Sequence, residues 1–193
     1  MQNKLDVLLI GGGGHCHSVI DVIEQEDKYK IAGIIDKKEL IGQTVLGYSV
    51  IASDDELEAL REEYHYAIVT VGQINSNAIR IKLFHALKEL GYTLPVIVSP
   101  LGYVSKHASI KEGTVIMHHA LVNAGAEVGA NCIINTKALI EHDTIIGNHS
   151  HISTASIING GVEVKENSFV GSNSTTKEYC KIDGFIKAGD ITK

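Results

Sequence analysis

A period of six governs the second half of this chain. From Val104 an aliphatic residue returns at every sixth position: Val104, Ile110, Ile116, Val122, Val128, Ile134, Ile140, Ile146, Ile152, Ile158, Val164 and Val170. With Ile, Leu and Val at about a third of residues, such a run arises by chance on the order of once in a million. Two residues before each lies a register of small residues: Gly102, Ala108, Thr114, Ala120, Ala126, Cys132, Ala138, Thr144, Ser150, Ser156 and Ser168, with Val162 the exception. Six steps of about 100° return far off phase, so one face of an α-helix cannot carry this pattern. Period-two strands broken by a turn every six residues can carry it. The expected architecture is a hexapeptide-repeat β-helix, each aliphatic pointing into a narrow prism and each small residue letting the chain turn beside it. The pattern breaks at Thr176 and resumes at Ile182.

The first hundred residues follow other periods. Leu5–Ile10 reads as a buried strand, Gly11–Gly14 as a turn, and about His15 to Glu26 as a helix with Val19, Ile20, Val22 and Ile23 on its apolar side. Tyr29–Ile35 is a second strand ending at Asp36. Tyr66–Val71 is a third, broken by Gly72, with a helix from about Asn75 to Leu90. These spacings predict βαβ units on a parallel sheet, a Rossmann-like α/β domain. The only prolines, Pro95 and Pro100, fall where the pattern changes. The expected division is an α/β front domain over 1–98 and an all-β coil over 99–193.

Composition narrows the function classes. Aromatics are scarce, with no Trp and three Phe, which suits a core of branched aliphatics. A net charge of −6 without a Lys/Arg stripe argues against nucleic acid as the partner. The apolar run Val7–Ile10 is far too short for membrane insertion and no secretory pattern precedes it, so a cytoplasmic address is expected. Cys16, Cys132 and Cys180 form no CxxC, which indicates neither a disulfide framework nor a thiolate zinc site. Cys132 and Cys180 occupy the small-residue register and read as packing; Cys16, beside the glycines, is either reactive or packed on its helix. The Asp54-Asp55-Glu56 run reads as a solvated face.

Gly11, Gly12, Gly13 and Gly14 stand between a strand and a helix, where backbone N–H groups can face phosphate oxygens. As a dinucleotide fingerprint the loop is imperfect, since Cys16 stands where the third glycine belongs. A tight strand–helix turn is the competing reading, although four glycines cost more chain entropy than a turn requires.

The hexads, the Gly-Gly-Gly-Gly-His loop and the stretch Ile140-Glu141-His142-Asp143 together resemble the PglD/NeuD group of bacterial sugar acetyltransferases over nearly the whole chain. The resemblance implies left-handed coils, rare among crossovers, and a homotrimer with active sites between subunits. It implies acetyl-CoA as co-substrate, a nucleotide-sugar as acceptor, and no metal. Gly11–Gly14 and His15 would then meet the sugar-nucleotide, and Asp36 would accept hydrogens from its base or ribose. Gly72 and Asn75, in the polar loop before the second helix, would help choose the nucleotide, with Arg80 assisting.

His142 matches the base that takes the acceptor's proton, a task suited to a near-neutral pKa. Asp143 matches the carboxylate that fixes its tautomer. Two residues past an inward Ile140, His142 is expected at a corner or rim. Asn135 and His151 match active-site residues, each otherwise a polar residue on a coil face. Backbone N–H groups around Gly160 and Gly161 would contact the oxyanion or pantetheine; Gly171 has the same two readings, cofactor approach or turn. The chain given ends at Gly189–Lys193 where relatives carry a Gly-Val-Pro-Ala-like run, so the adenine contact is expected to be absent, or built from Phe185–Lys187 or a neighbouring subunit. Acetylation of an amino group leads; O-acetylation of a sialic- or legionaminic-type sugar is the near alternative. A zinc lyase of the γ-carbonic anhydrase kind would need three converging His ligands, for which His118, His142, His149 and His151 are the candidates. A silent trimer would leave His142-Asp143 without a purpose.

Overall fold

The structure, a computed structural model, describes residues 4–74 and 76–192. Two compact units divide the chain between Pro95 and Val96, three residues ahead of the boundary expected from the pattern change.

In the first unit a sheet has the order β3-β4-β2-β1-β5, formed by β1 (Leu5–Ile10), β2 (Tyr29–Ile35), β3 (Thr44–Val45), β4 (Tyr48–Ala52) and β5 (Tyr66–Val69). The β1–β2, β1–β5 and β2–β4 pairings are parallel. Helix α1 spans Gly14–Glu26, α2 Leu57–Leu60 and α3 Ala78–Glu89. Val7–Ile10 and Ile34–Ile35 are fully buried, as expected of continuous apolar runs in a parallel sheet. The β3–β4 hairpin was not legible. Its two-residue turn, Leu46-Gly47, has both φ positive at 48° and 90°, and bulky Leu46 is not a residue that announces such a turn.

The second unit is a coil of two-residue strands on three flanks, all pairings parallel. The first flank carries Tyr103–Val104, Leu121–Val122, Leu139–Ile140 and Ile157–Ile158. The second carries Ser109–Ile110, Glu127–Val128, Ile145–Ile146, Glu163–Val164 and Lys181–Ile182. The third runs from Ile97–Val98 through His151–Ile152 to Phe169–Val170 and Phe185–Ile186. The hexad aliphatics form the interior column, and the small residues Ala120, Ala126, Cys132 and Ala138 are buried beside them. The small register therefore fills the narrow prism rather than making the turn.

The turn belongs to the residue just before it. Gly113, His119, Gly125, Asn131, Lys137, Asp143, His149, Ala155, Gly161, Asn167, Asn173 and Tyr179 all hold φ between 55° and 75°, one at every sixth position. Gly, Asn and Asp tolerate this left-handed conformation; Ala pays for its Cβ and has no polar side chain to bond the local backbone. Ala155→Gly should therefore raise stability by about 0.5–1 kcal/mol net of the added chain entropy, read as a higher urea midpoint at unchanged m-value.

Candidate functional site

Each unit carries a constellation that sequence reasoning singled out. In the first unit β1 delivers the glycine loop to the N-terminus of α1. Gly11 has φ 103°, and a Cβ there would meet the Val71 side chain at 2.5 Å, so glycine is required by the fold. Gly12 donates its N–H to Asp36 Oδ2 at 2.5 Å, and Asp36 Oδ1 accepts from the Lys37 N–H at 2.7 Å. The carboxylate at the end of β2 thus braces the loop from below.

Gly13 and Gly14 are different. Neither has positive φ, and a Cβ on either would meet nothing within 4 Å. Gly13 is the N-cap of α1 and makes no side-chain cap bond, and the first turn holds no acidic residue. Their bareness leaves open space over uncapped N–H groups, a cradle for an anion.

A cleft of about 250 Å³ opens beside the loop, bordered by Gly11, Gly13, Asp36 and Gly72, with Ile35, Ile79 and Leu83 supplying apolar wall. Gly72 lies against His15, whose Cβ stands 3.3 Å from where a Gly72 Cβ would be. Asn75 lies outside the described residues. Asp54, exposed as the acidic run suggests, also borders this cleft. Desolvation, then the charge of Asp36, raise its carboxyl above the usual range. Glu56 closes a capping box on Ser53, with its Oε2 2.9 Å from the Ser53 N. Arg80 is buried, donating to the carbonyls of Val69 at 2.7 Å and Val71 at 2.9 Å. It fixes the end of β5. Cys16 is buried, and desolvation pushes its thiol up to about 11, which makes it a packing residue.

In the coil, His142 and Asp143 form the corner between the first and second flanks, with both side chains exposed. Asp143 supplies the left-handed turn residue at φ 58°, and its Oδ2 lies 2.9 Å from His142 Nδ1. A carboxylate only accepts, so Nδ1 carries the hydrogen and Nε2 presents a lone pair. The hydrogen bond to Asp143 is the largest cause holding the imidazole pKa above its ordinary value; desolvation opposes it, and the charges of Asp143 and Glu141 add to it. Glu141, which the residue pattern had not singled out, is held by Asn123 Nδ2 at 2.9 Å and accepts the His142 N–H at 3.3 Å.

Gly160 and Gly161 sit one coil further along the same corner. Gly161 N–H donates to the His142 carbonyl at 3.0 Å. Asn159 turns its Nδ2 to the Thr176 carbonyl at 2.6 Å, whereas Asn123 and Asn135 cap the following N–H with Oδ1 at 2.8 Å. Asn135 Nδ2 lies 3.1 Å from His151 Nε2, and that pair occupies the third flank, where His151 packs edge-on against Phe169. Phe169 stacks on Phe185 at 5.1 Å, leaving the outer Phe185 ring more than half exposed. Gly171 is explained by packing, since a Cβ there would overlap the Lys187–Ala188 backbone. His118, His142, His149 and His151 do not converge: they face Ser99, Asp143, Asn131 and Asn135 respectively. Among the described residues no group of three or more His, Cys, Asp or Glu is placed to hold a metal, and no helix is long and apolar enough to cross a membrane.

The model of the PglD N-terminal domain matches residues 6–87. The whole chain is similar to PerB from Caulobacter crescentus, solved with CoA and GDP-perosamine: identity is 30%, the TM-score 0.90, and the match covers 100% of this chain and 90% of that one. It is also similar to the acetyltransferase domain of PglB from Neisseria gonorrhoeae FA1090, at 27% identity and TM-score 0.91, covering 98% of this chain and 92% of that one. The same domain in complex with acetyl coenzyme A matches at 27% identity and TM-score 0.87, over 98% and 93% of the two chains. No curated protein sequence matches. Fold and site define an acyltransferase built on a left-handed β-helix of hexapeptide repeats behind a Rossmann-like domain. Within that class the chain belongs to the PglD/NeuD-like family of sugar acetyltransferases.

Proposed function

We propose that this protein transfers the acetyl group of acetyl-CoA to an amino group on a nucleotide-activated sugar, with His142 as general base. The observation that carries the reading is the His142–Asp143 hydrogen bond, which leaves Nε2 basic at an exposed corner. The amine nitrogen attacks the thioester carbonyl while Nε2 takes its proton. The C–S bond then breaks, and the thiolate leaves and recovers the proton from the imidazolium. Asp143 stabilises that transient cation. We assign the oxyanion to the Gly160 N–H, which the Asn159 amide, turned to the Thr176 carbonyl, leaves uncapped by that side chain.

The front unit would bind the nucleotide-sugar, its diphosphate on Gly13, Gly14 and His15, and its nucleoside in the cleft beside Asp36 and Gly72. The acyl donor would be held by the coil, with Asn135, His151 and Gly161 as the remaining contacts. PerB, crystallised with GDP-perosamine, supports an amino-sugar acceptor. A homotrimer is supported by the first flank, whose outward column Tyr103, Leu121, Leu139 and Ile157 is apolar and only partly covered. Because Asn135 and His151 lie on another flank than His142, they would join the dyad of a neighbouring subunit, placing the active sites between subunits.

The test is release of free CoA thiol against UDP-, GDP-, dTDP- and CMP-linked amino sugars and free sialic-type acids. Turnover with one nucleotide-linked amino sugar, its product an N-acetyl amide by mass and NMR, is the expected result. Turnover only with a hydroxyl acceptor would overturn the N-acetylation and leave the family intact.

A further inference from the structure

Gly160 is a glycine without a backbone reason. Its φ lies outside the left-handed region, unlike its neighbour Gly161 at 67°. The explanation is one coil away. A Cβ built on Gly160 would stand 2.8 Å from both Cε1 and Nε2 of His142, closer than real Cβ contacts come. The imidazole lies in the space that a side chain at 160 would fill. On the opposite side of the dyad the corner residue is Gly125, where a Cβ would overlap the Asp143 carboxylate. Successive coils thus place Ala124-Gly125, His142-Asp143 and Gly160-Gly161 at one corner, and the dyad is bracketed by steps almost without side chains.

We infer that Gly160 is a positioning residue for His142: its missing side chain is the seat that holds the imidazole against Asp143 with Nε2 at the working face. This rests on His142 being the base, and differs from a backbone contact to acyl donor or oxyanion, which an alanine at 160 would retain. Flexibility decides the form of the effect. The atoms a new Cβ would strike are the far end of an exposed side chain, so the ring swings aside and the fold is spared. What is lost is the angle at Nδ1, hence the hydrogen bond that raises the imidazole pKa.

The experiment is Gly160→Ala alone and combined with His142→Ala. For the single variant the urea midpoint should match wild type, while kcat falls about 10²-fold, as for a catalytic group displaced by about 1 Å. The His142 ring proton followed by NMR should titrate at lower pH than in the wild type, a readout that needs no turnover. In the His142→Ala background, Gly160→Ala should cost nothing further, because the group it positions is gone. An unchanged His142 titration would overturn the inference, and so would a full 10²-fold loss persisting in the double variant, which would assign Gly160 to the acyl group instead. Should His142→Ala alone leave turnover intact, the function proposed above fails, and the NMR titration still decides whether Gly160 seats the ring.

Discussion

His142→Ala is expected to lower kcat by about 10²–10⁴-fold, the range by which a positioned base accelerates proton transfer. Stability should hardly change, because the side chain is half exposed and its bond to Asp143 lies in solvent. KM values should move little, since the acceptor's nucleotide and the pantetheine are held elsewhere in this reading. The pH profile gives the sharper signature. The base works only when neutral, so kcat/KM rises with pH through the pKa of free-enzyme His142. Asp143 and Glu141 hold that pKa above the ordinary value, so the acid limb should lie above about 6.5. Asp143→Asn removes the largest cause of the shift, and its acid limb should move to lower pH while kcat falls. A variant lacking His142 that retains the wild-type acid limb would remove this residue from the role of base.

How much of this was legible depends on whether the cause is periodic or spatial. The hexads declared themselves because a prism admits the same side chain at every sixth position, and Val104 to Val170 obey without a gap. His142 at a corner followed from counting two residues past an inward Ile140. The hidden register was the left-handed one: Lys137, His149, Ala155 and Tyr179 occupy it alongside Gly, Asn and Asp despite the cost of a Cβ there, so no single residue type marks it. Gly160 stayed ambiguous because its partner is His142, eighteen residues earlier; the period of six is visible in the chain, but three flanks per coil is a property of the closed prism. The Asp54-Asp55-Glu56 run is exposed, as its composition suggests; that its first member also edges the cleft near Asp36 was hidden for the same spatial reason. In the glycine loop the opposite happened. Two of four glycines proved to have internal reasons, Gly11 its positive φ and Gly12 the Asp36, Val45 and Ile34 side chains crowding the place of its Cβ, and only Gly13 and Gly14 are left for a ligand.

The coil itself supports the other large expectation. Ile140→Asp should cost more than about 5 kcal/mol and leave the second unit unfolded at ordinary temperature, because an unpaired carboxylate has no partner inside the prism. Ile140 is fully buried, in register between Val122 and Ile158 on the neighbouring coils, and every nearby core residue is aliphatic or small. The same chemistry five residues away should be nearly silent. Ile145 points outward on the second flank, is 49% exposed, and pairs with Glu127 and Glu163. Ile145→Asp adds a third acid to that column, yet should stay within about 1 kcal/mol of wild type, since exposed like charges are well screened. Circular dichroism against urea for the two variants measures the contrast directly. In a repeat whose coils touch only their neighbours, one inward charge interrupts the stack on both sides, which is why a single position carries so large an effect. Equal stability of the two variants would mean that residues 140 and 145 do not face opposite ways, and with that the corner between them, His142-Asp143, would lose its geometry.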